Sequence, residues 1–451
     1  MTRLRPAVHD PEHLSTPMPA RPLTTAPYGH VLTNTGMWSP DSRWIVYDTR
    51  SAADGSVFDG TRIERVEVES GRVEVLYESR HGAACGVVTS SPIDDRVAFI
   101  LGPERPTAEW SYGASRRQGV VVHTSRPGVA EPLEARDLVP PFTPGALRGG
   151  SHVHVFSPDA ALVSFTYEDA VLESAGDNAA SANLRTIGVA VCGMNVQVPA
   201  THPRNHPGTA FSVIVVPVTG EPRPGSDDLS RACEEAWVGA AGYRRADGSW
   251  QRRALAFQGT VRTRKGDSIA EVFIVDLPDA PASLLERGSG PLEGTATTLP
   301  APPRGTSVRR LTFTADRAYP GIQGPRHWLR SSPDGERIAY LARDDAGIPQ
   351  LFTVSPLGDE PAQVTRTPHG IASAFSWSPA GEHVACVIDG RVCLVEMADG
   401  DVVPITDACG PRAEACVFSP DGRRIAFAAV QPGLGGRGEG WAQVWVADVP
   451  G

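Results

Sequence analysis

Short apolar runs, each bounded by turn residues, recur along this chain. A run such as RIAFA follows a Ser-Pro phrase, and other runs come in pairs around a Gly turn, as in RVEVESGRVEVLY. Apolar runs of this length between turns are typical of strands packed in a sheet, and proline, aspartate and glycine suit the tight turns that join them. The pattern predicts repeated β-hairpins and almost no helix.

The Ser-Pro phrase is an internal repeat. It consists of an apolar approach, Ser-Pro, usually an acidic and a small residue, and then a buried strand. It occurs six times, at 37–47, 89–100, 155–165, 330–341, 376–387 and 417–428. Two hairpins per repeat, with 46 and 41 residues separating Ser332, Ser378 and Ser419, match the four-stranded blade of a β-propeller. The aspartates of the phrase are predicted to be turn residues; they are Asp41, Asp159, Asp334 and Asp421.

The blade count follows from the long stretch between the third and fourth phrases. This stretch exceeds one blade, and the runs at 253–259, 270–278 and 309–313 supply strands of a further blade without Ser-Pro. We therefore predict an all-β, seven-bladed propeller, with a six-bladed ring as the alternative. The remaining length is assigned to insertions at about 170–210, 221–232 and 280–305, and the first is expected to cover the channel mouth.

Ring closure is also predicted. The last repeat ends at its third strand, 442–450, whereas residues 22–25 resemble the fourth-strand ends of other blades. An N-terminal strand that completes the last blade would remove an open sheet edge. The expected organisation is a flexible segment at 1–21 and a single propeller domain at 22–451.

Composition and charge exclude some classes of binding partner and indicate the location of the protein. The net charge is −10 with dispersed basic residues, so no nucleic-acid partner is expected. The chain has no run of 18 apolar residues and no apolar signal region near its start, which predicts no membrane span and a cytoplasmic location. Seven cysteines without a CxxC motif are interpreted as buried free thiols. The Gly-rich stretch at 431–440 matches the letters of a dinucleotide fingerprint, but a strand follows it, so no nucleotide cofactor is expected.

Several longer segments carry a family resemblance. They are HVLTNTGMWSPD (30–41), PFTPGALRGGSHVHVFSPD (141–159), TTLPAPPRGTSVRRLTF (297–313) and YPGIQGPRHWLR (319–330). With the Ser-Pro repeats, they resemble an uncharacterised bacterial family of TolB-like propellers, for which no activity can be carried over. A more distant similarity is to oligogalacturonate lyase, a seven-bladed propeller whose histidines, including an H-x-H pair, hold a divalent metal. His152 and His154 look like that pair, although Gly149 stands where the lyase has a glutamine.

A metal site is therefore one hypothesis. His152 and His154 are two residues apart on the predicted first strand of blade three, so they should share a face. His327 in blade five and His30 in blade one are further candidate ligands, and the metal would be manganese, zinc, iron or nickel. The alternative is that these histidines form hydrogen bonds between neighbouring blades.

Arginines accompany the histidines. Arg148, Arg204 and Arg326 are candidate catalytic residues, since a guanidinium binds carboxylate in a fork. With a metal they would suit a uronate, whose α-proton a histidine or arginine could remove. Alternatively, the arginines only brace loops. Glu234 and Glu235 are either channel-facing acids or, by preference, a solvated loop end.

Two functions remain open at this point. The first is a metal-dependent lyase or related enzyme acting on an acidic sugar at the channel mouth. The second is a non-catalytic propeller that binds a ligand or a protein partner. Propellers serve both purposes, so the fold alone does not decide between them.

Overall fold

Seven four-stranded antiparallel sheets form the chain into a ring, as seen in a computed structural model that describes residues 20–175, 184–409, 413–433 and 440–450. The seven-bladed prediction is confirmed. From the channel outward, the strands of blade one are Gly29–Val31, Trp44–Arg50, Arg62–Glu67 and Val73–Glu78, and those of blade two are Cys85–Ser90, Arg96–Leu101, Gln118–His123 and Ala130–Pro132. Blade three consists of Gly149–Phe156, Leu162–Asp169, Thr186–Val196 and Gly208–Ile214. Blade four consists of Arg231–Trp237, Ala254–Arg262, Ser268–Asp276 and Ser307–Arg310.

The remaining blades follow the same order. Blade five consists of Arg330–Ser331, Ile338–Arg343, Pro349–Val354 and Ala362–Gln363. Blade six consists of Ser376–Trp377, His383–Ile388, Arg391–Glu396 and Val402–Pro404. Blade seven consists of Glu414–Phe418, Arg424–Gln431, Trp441–Asp448 and Arg21–Pro22. Two short two-stranded sheets lie outside the blades. They pair Ala135–Arg136 with Ala146–Leu147 and Tyr243–Arg244 with Trp250–Gln251. The described helices are Ala170–Ala175 and the 3-10 turn Pro281–Leu285, and both lie in predicted insertions.

The N-terminal strand closes the ring as predicted. Arg21 and Pro22 pair with Val446 and Trp445, and the Leu23 amide donates to the Val444 carbonyl over 2.7 Å. Residues 1–19, most of the segment expected to be flexible, lie outside the described residues.

The Ser-Pro turns are built as the sequence indicates. In each of four blades the serine hydroxyl donates to an aspartate that also accepts a backbone amide two residues on. The prediction that these aspartates are turn residues is confirmed. The local hydrogen bonds to these aspartates restrict the backbone of the turn and so fix the hairpin between the first and second strands of the blade.

Tryptophans link successive blades. The indole N–H of Trp38 donates to Val417, that of Trp237 to Val155, and that of Trp377 to Arg330, each reaching a backbone carbonyl of the preceding blade at 3.0 Å. Trp237 belongs to the blade without Ser-Pro, so the link persists where the phrase is lost. Apolar clusters fill each junction between neighbouring blades, from blades one and two round to blades six and seven and back to blade one.

No helix in the described ranges is both long and apolar enough to cross a bilayer. All seven cysteines are free, five of them buried and Cys192 and Cys409 partly so.

Candidate functional site

A β-bulge interrupts the first strand of blade three. His152 pairs with Thr166 and Val155 with Ser164, so one extra residue is accommodated between them, and Val153 has a φ of 55°. A bulge of this kind breaks the alternation of side chains. The prediction that His152 and His154 share a face is therefore wrong: His152 lies on the side of Thr166, toward blade four, and His154 on the side of Phe165, toward blade two.

His154 is held within the junction of blades two and three. It is fully buried, and its Nε2 lies 2.7 Å from Glu134 Oε1 and 3.0 Å from Ser151 Oγ. The backbone carbonyl of His154 also accepts the Thr89 hydroxyl of blade two. This is the inter-blade role that the alternative interpretation gave it.

His327 and His30 are likewise engaged in packing. His327 Nδ1 donates to the Pro325 carbonyl at 2.8 Å, and its Nε2 accepts the Leu341 amide at 3.0 Å, so both ring nitrogens are occupied. His30 is in the first strand of blade one, where Nδ1 meets Thr24 Oγ1 at 2.8 Å beside Tyr47. Burial lowers the pKa of His30 to about 3 and that of His327 to about 4, so both are neutral at pH 7.

The described residues do not fit a metal. Among them, no group of three or more His, Cys, Asp or Glu side chains is arranged to hold an ion. The four candidate ligands lie in separate environments. His30 is at the junction of blades one and seven, His154 faces blade two, and His327 packs against the second strand of blade five. Of the four, His152 is the one without a described hydrogen bond.

His152 is half-buried among positive charges. Burial first, and then the guanidinium charges of Arg117, Arg326 and Arg185, hold the pKa of His152 well below its usual range. The imidazole is neutral at pH 7 and can accept a proton. These arginines come from blade two, from the start of blade five and from blade three, so the ring itself assembles the cluster, which we call the channel-mouth cluster.

The charges of this cluster are only partly balanced. Arg185 pairs with Glu168, and Arg326 donates to Glu234 at 3.0 Å. Arg117 is buried and donates to the Ser151 carbonyl at 3.1 Å. Burial lowers the pKa of Arg117, and the neighbouring Tyr112 and Glu168 partly offset this effect. Three guanidinium groups face two carboxylates, Glu168 and Glu234, so the cluster carries an excess of positive charge that suits a bound carboxylate.

Glu235 adds a neutral acid to the cluster. Its carboxyl is buried against blade three, where Thr166, the cross-strand neighbour of His152, donates to it at 3.2 Å. Burial raises the pKa of Glu235 to about 8. The expectation of a solvated loop end is wrong for both glutamates, since Glu235 is buried and Glu234, 12% exposed, holds Arg326. The pKa of His152 is lowered and that of Glu235 is raised, so a neutral imidazole that accepts protons and a protonated carboxyl that donates them lie on the same side of blade three.

Arg148 and Arg204 lie elsewhere. Arg148 is fully buried, pairs with Asp169 at 2.6 Å and donates to the carbonyls of Thr295 and Thr298, which fastens the third insertion to blade three. Arg204 donates to the carbonyls of residues 104 and 105 in blade two. Its segment packs along the outer strands of blades two and three, in a cleft on the blade-two side. Of the residues assigned to the first insertion, Arg185 belongs to the channel-mouth cluster, whereas His202, Arg204 and His206 line the cleft and groove beside blade two.

Sequence reasoning missed Arg117 and Arg185. Each stands one residue before the third strand of its blade, Gln118–His123 or Thr186–Val196. Equivalent positions in successive blades lie at the same end of the ring, so aligning the repeats strand by strand is the signal that could have found them.

The fold defines the class of protein as a seven-bladed β-propeller. The chain belongs to the family of the uncharacterised protein YidR of Escherichia coli (strain K12), to which it is 46% identical over 408 residues, covering 90% of this chain and 94% of that one. The model of a family described as a protein of unknown function (DUF3748) matches residues 84–206, the segment that contains His152, Arg117 and Arg185.

A solved structure shares this fold. Oligogalacturonate lyase in complex with manganese superimposes with a TM-score of 0.55 at 12% identity, covering 96% of this chain and 97% of that chain. A putative TolB from Agrobacterium tumefaciens is 15% identical with a TM-score of 0.37, covering 84% of this chain and 95% of that chain. The expected membership of an uncharacterised family is confirmed by the match to YidR, and the expected similarity in fold to oligogalacturonate lyase by the superposition.

Proposed function

We propose that the channel-mouth cluster binds a small carboxylated molecule, an acidic saccharide, and that the protein is a lyase acting on it. The observation that carries the proposal is the set of three guanidinium groups around the neutral imidazole of His152. The three guanidinium groups outnumber the two carboxylates beside them, Glu168 and Glu234, and the excess positive charge is available to the ligand. The similarity in fold to oligogalacturonate lyase supports the choice of a uronate.

The proposed chemistry is a β-elimination. A guanidinium-bound carboxylate is a better electron acceptor, so the proton on the neighbouring carbon becomes more acidic. His152 takes that proton, the electron pair forms the carbon–carbon double bond, and the bond to the glycosidic oxygen breaks. The leaving oxygen takes a proton from water, and the imidazolium of His152 returns its proton to the hydroxide that remains. Glu235 accepts the hydroxyl hydrogen bond of Thr166 beside the site.

A non-catalytic ligand-binding propeller is the second candidate. It is favoured by the engagement of His30, His154 and His327 in packing, which leaves the metal-dependent form of the lyase hypothesis without a ligand set among the described residues. Metal analysis of purified wild type and His152→Ala tests that form directly. Metal bound by wild type and lost in the variant would restore it. The free thiols fit the proposal of a cytoplasmic location.

The deciding experiment measures binding and turnover together. Wild type, His152→Gln and the control His123→Gln, a half-exposed histidine paired with Asp95 on the outer side of blade two, are mixed with trigalacturonate. The lyase proposal expects an ultraviolet-absorbing unsaturated uronate from wild type and the control but not from His152→Gln. Binding without product would establish the second candidate. No binding by calorimetry would overturn both.

A further inference from the structure

A second cationic site lies outside the channel mouth, in a cleft between blades two and three. The cleft has a volume of about 330 Å³ and opens beside the outer strands of blade two. Trp110, Arg116, Arg136, Arg204 and His206 contribute to its wall. A wider groove continues from it past Trp110 and Arg204. The proposed function uses none of these five side chains.

The arginines of this cleft have no carboxylate partner among the described residues. Arg136 is 4% exposed and donates only to backbone carbonyls, among them that of Arg117 at 2.5 Å. Arg204 donates to the carbonyls of Glu104 and Arg105. Arg116 lies over the Trp110 ring, with its guanidinium carbon 5.6 Å from the ring centroid. Carbonyl oxygens orient a guanidinium without neutralising its charge, so three positive charges face one cavity.

Two buried nitrogens in the same wall also lack partners. Trp110 Nε1 and His206 Nε2 are both buried and have no hydrogen-bond partner among the described residues. His206 Nδ1 already meets the Pro207 carbonyl at 3.1 Å, which fixes the ring. A ligand acceptor would satisfy the unpaired indole N–H of Trp110. The proton of the neutral His206 ring is on Nδ1, so Nε2 would instead accept a hydrogen bond from a hydroxyl of the ligand. The indole ring also offers an apolar face against which a flat or ring-shaped group can pack.

Negative charge near the cleft is limited. Glu104 lines it with an exposed side chain, whereas Glu134, the acid nearest Arg136 behind the wall, is committed to His154 and the Gly119 amide. An anion entering the cleft therefore meets three cations and one solvated carboxylate. The local balance of charges in the cleft favours binding of an anion, even though the net charge of the whole chain is −10.

We propose that this cleft is a binding site for a sugar that carries an anionic group, with Arg116, Arg136 and Arg204 holding the phosphate or carboxylate and Trp110 packing against the sugar ring. Arg116 and Arg117 are adjacent in the chain but serve different sites, since Arg117 turns to Ser151 at the channel mouth. The cleft is thus a separate site, and its occupancy does not depend on the lyase proposal.

The test measures binding of D-glucose 6-phosphate, D-galacturonate, inorganic phosphate and D-glucose to the full chain by calorimetry. We expect one of the two anionic sugars to bind, which identifies phosphate or carboxylate, and both D-glucose and inorganic phosphate to bind at least about 10-fold more weakly. D-Glucose binding as tightly as both anionic sugars, or no probe binding at all, would overturn the proposal. Inorganic phosphate binding as tightly as the sugars would overturn the role of Trp110.

Variants assign the binding to the cleft. Arg204→Gln should weaken it about 10-fold or more, because one charge-assisted contact is lost, and Trp110→Phe should weaken it and remove ligand-dependent quenching of indole fluorescence. Arg391→Gln, an exposed arginine on blade six, is the matched control. The fluorescence quenching that Trp110→Phe removes must persist in His152→Gln, which separates the cleft from the channel mouth, where galacturonate is also proposed to bind. Wild-type affinity in both cleft variants, with circular dichroism showing the native fold, would contradict the assignment.

Discussion

Arg330 Nη2 lies 2.7 Å from both the backbone oxygen and the side-chain oxygen of Asn34. Arg330 is in the first strand of blade five, and Asn34 follows the first strand of blade one. These blades are not neighbours in the ring, so the contact crosses the central channel. Burial lowers the pKa of Arg330 to about 10, and it nevertheless remains charged at pH 7.

The first prediction follows from this cross-channel contact. Arg330→Met should destabilise the protein by about 2–4 kcal/mol, because two charge-assisted hydrogen bonds are lost and the Asn34 oxygens are left without their donor. Urea unfolding measures the change, with Arg391→Met as the exposed control. A loss below about 0.5 kcal/mol would mean that the contact does not hold the ring.

The second prediction concerns proton uptake at the channel mouth. The charges around His152 are Arg117, Arg185, Arg326, Glu168, Glu234 and protonated Glu235, with a net positive field that lowers the imidazole pKa. A bound carboxylate offsets that field, so the pKa rises and the site takes up a proton below neutral pH. Calorimetry of galacturonate binding in two buffers of different ionisation enthalpy measures this uptake.

His152→Gln is the variant that tests the source of the proton. It should abolish the uptake, while His123→Gln should keep it. Uptake that is unchanged in His152→Gln would assign the proton to another group.

The third prediction concerns Glu235 and pH. Its folded pKa, about 8, exceeds the ordinary value near 4.5, so the folded state holds the proton more tightly and its stabilising effect is lost as pH rises from about 4.5 to about 8. Glu235→Gln stays neutral throughout. The stability of this variant relative to wild type should increase by up to about 1.4 kcal/mol per pH unit across that window.

Urea unfolding at pH 5, 6, 7 and 8 provides the comparison. Glu360→Gln, at an exposed position, is the control and should show no such trend. A pH-independent difference for Glu235→Gln would show that the carboxyl is ionised in the folded protein.

The fourth prediction separates Arg148 from catalysis. Arg148→Met breaks a buried ion pair with Asp169 and releases the carbonyls of Thr295 and Thr298, so a loss of about 3–5 kcal/mol is expected. Hydrogen exchange should rise around residues 291–301. Any activity should fall only as far as the folded fraction falls. Loss of turnover in fully folded Arg148→Met would return this arginine to the active site.

The sequence by itself determined the propeller. A blade consists of hairpins between residues close in the chain, so its strand alternation, its Ser-Pro turn with an aspartate such as Asp41, and its length can all be read locally. Ring closure was also readable, because a missing fourth strand at one end predicted a spare strand at residues 22–25, and the observed strand is Arg21–Pro22, continued by the Leu23 amide.

Only the tertiary structure decided the sites. One bulge residue, Val153, turned His154 away from His152, and hydrophobic periodicity carries no signal for such a shift. The three arginines around His152 come from three blades, and Arg330 meets Asn34 across 296 residues. Which charges meet, and which stay unpaired, depends on how the blades close around the channel, and that closure is a property of the whole ring.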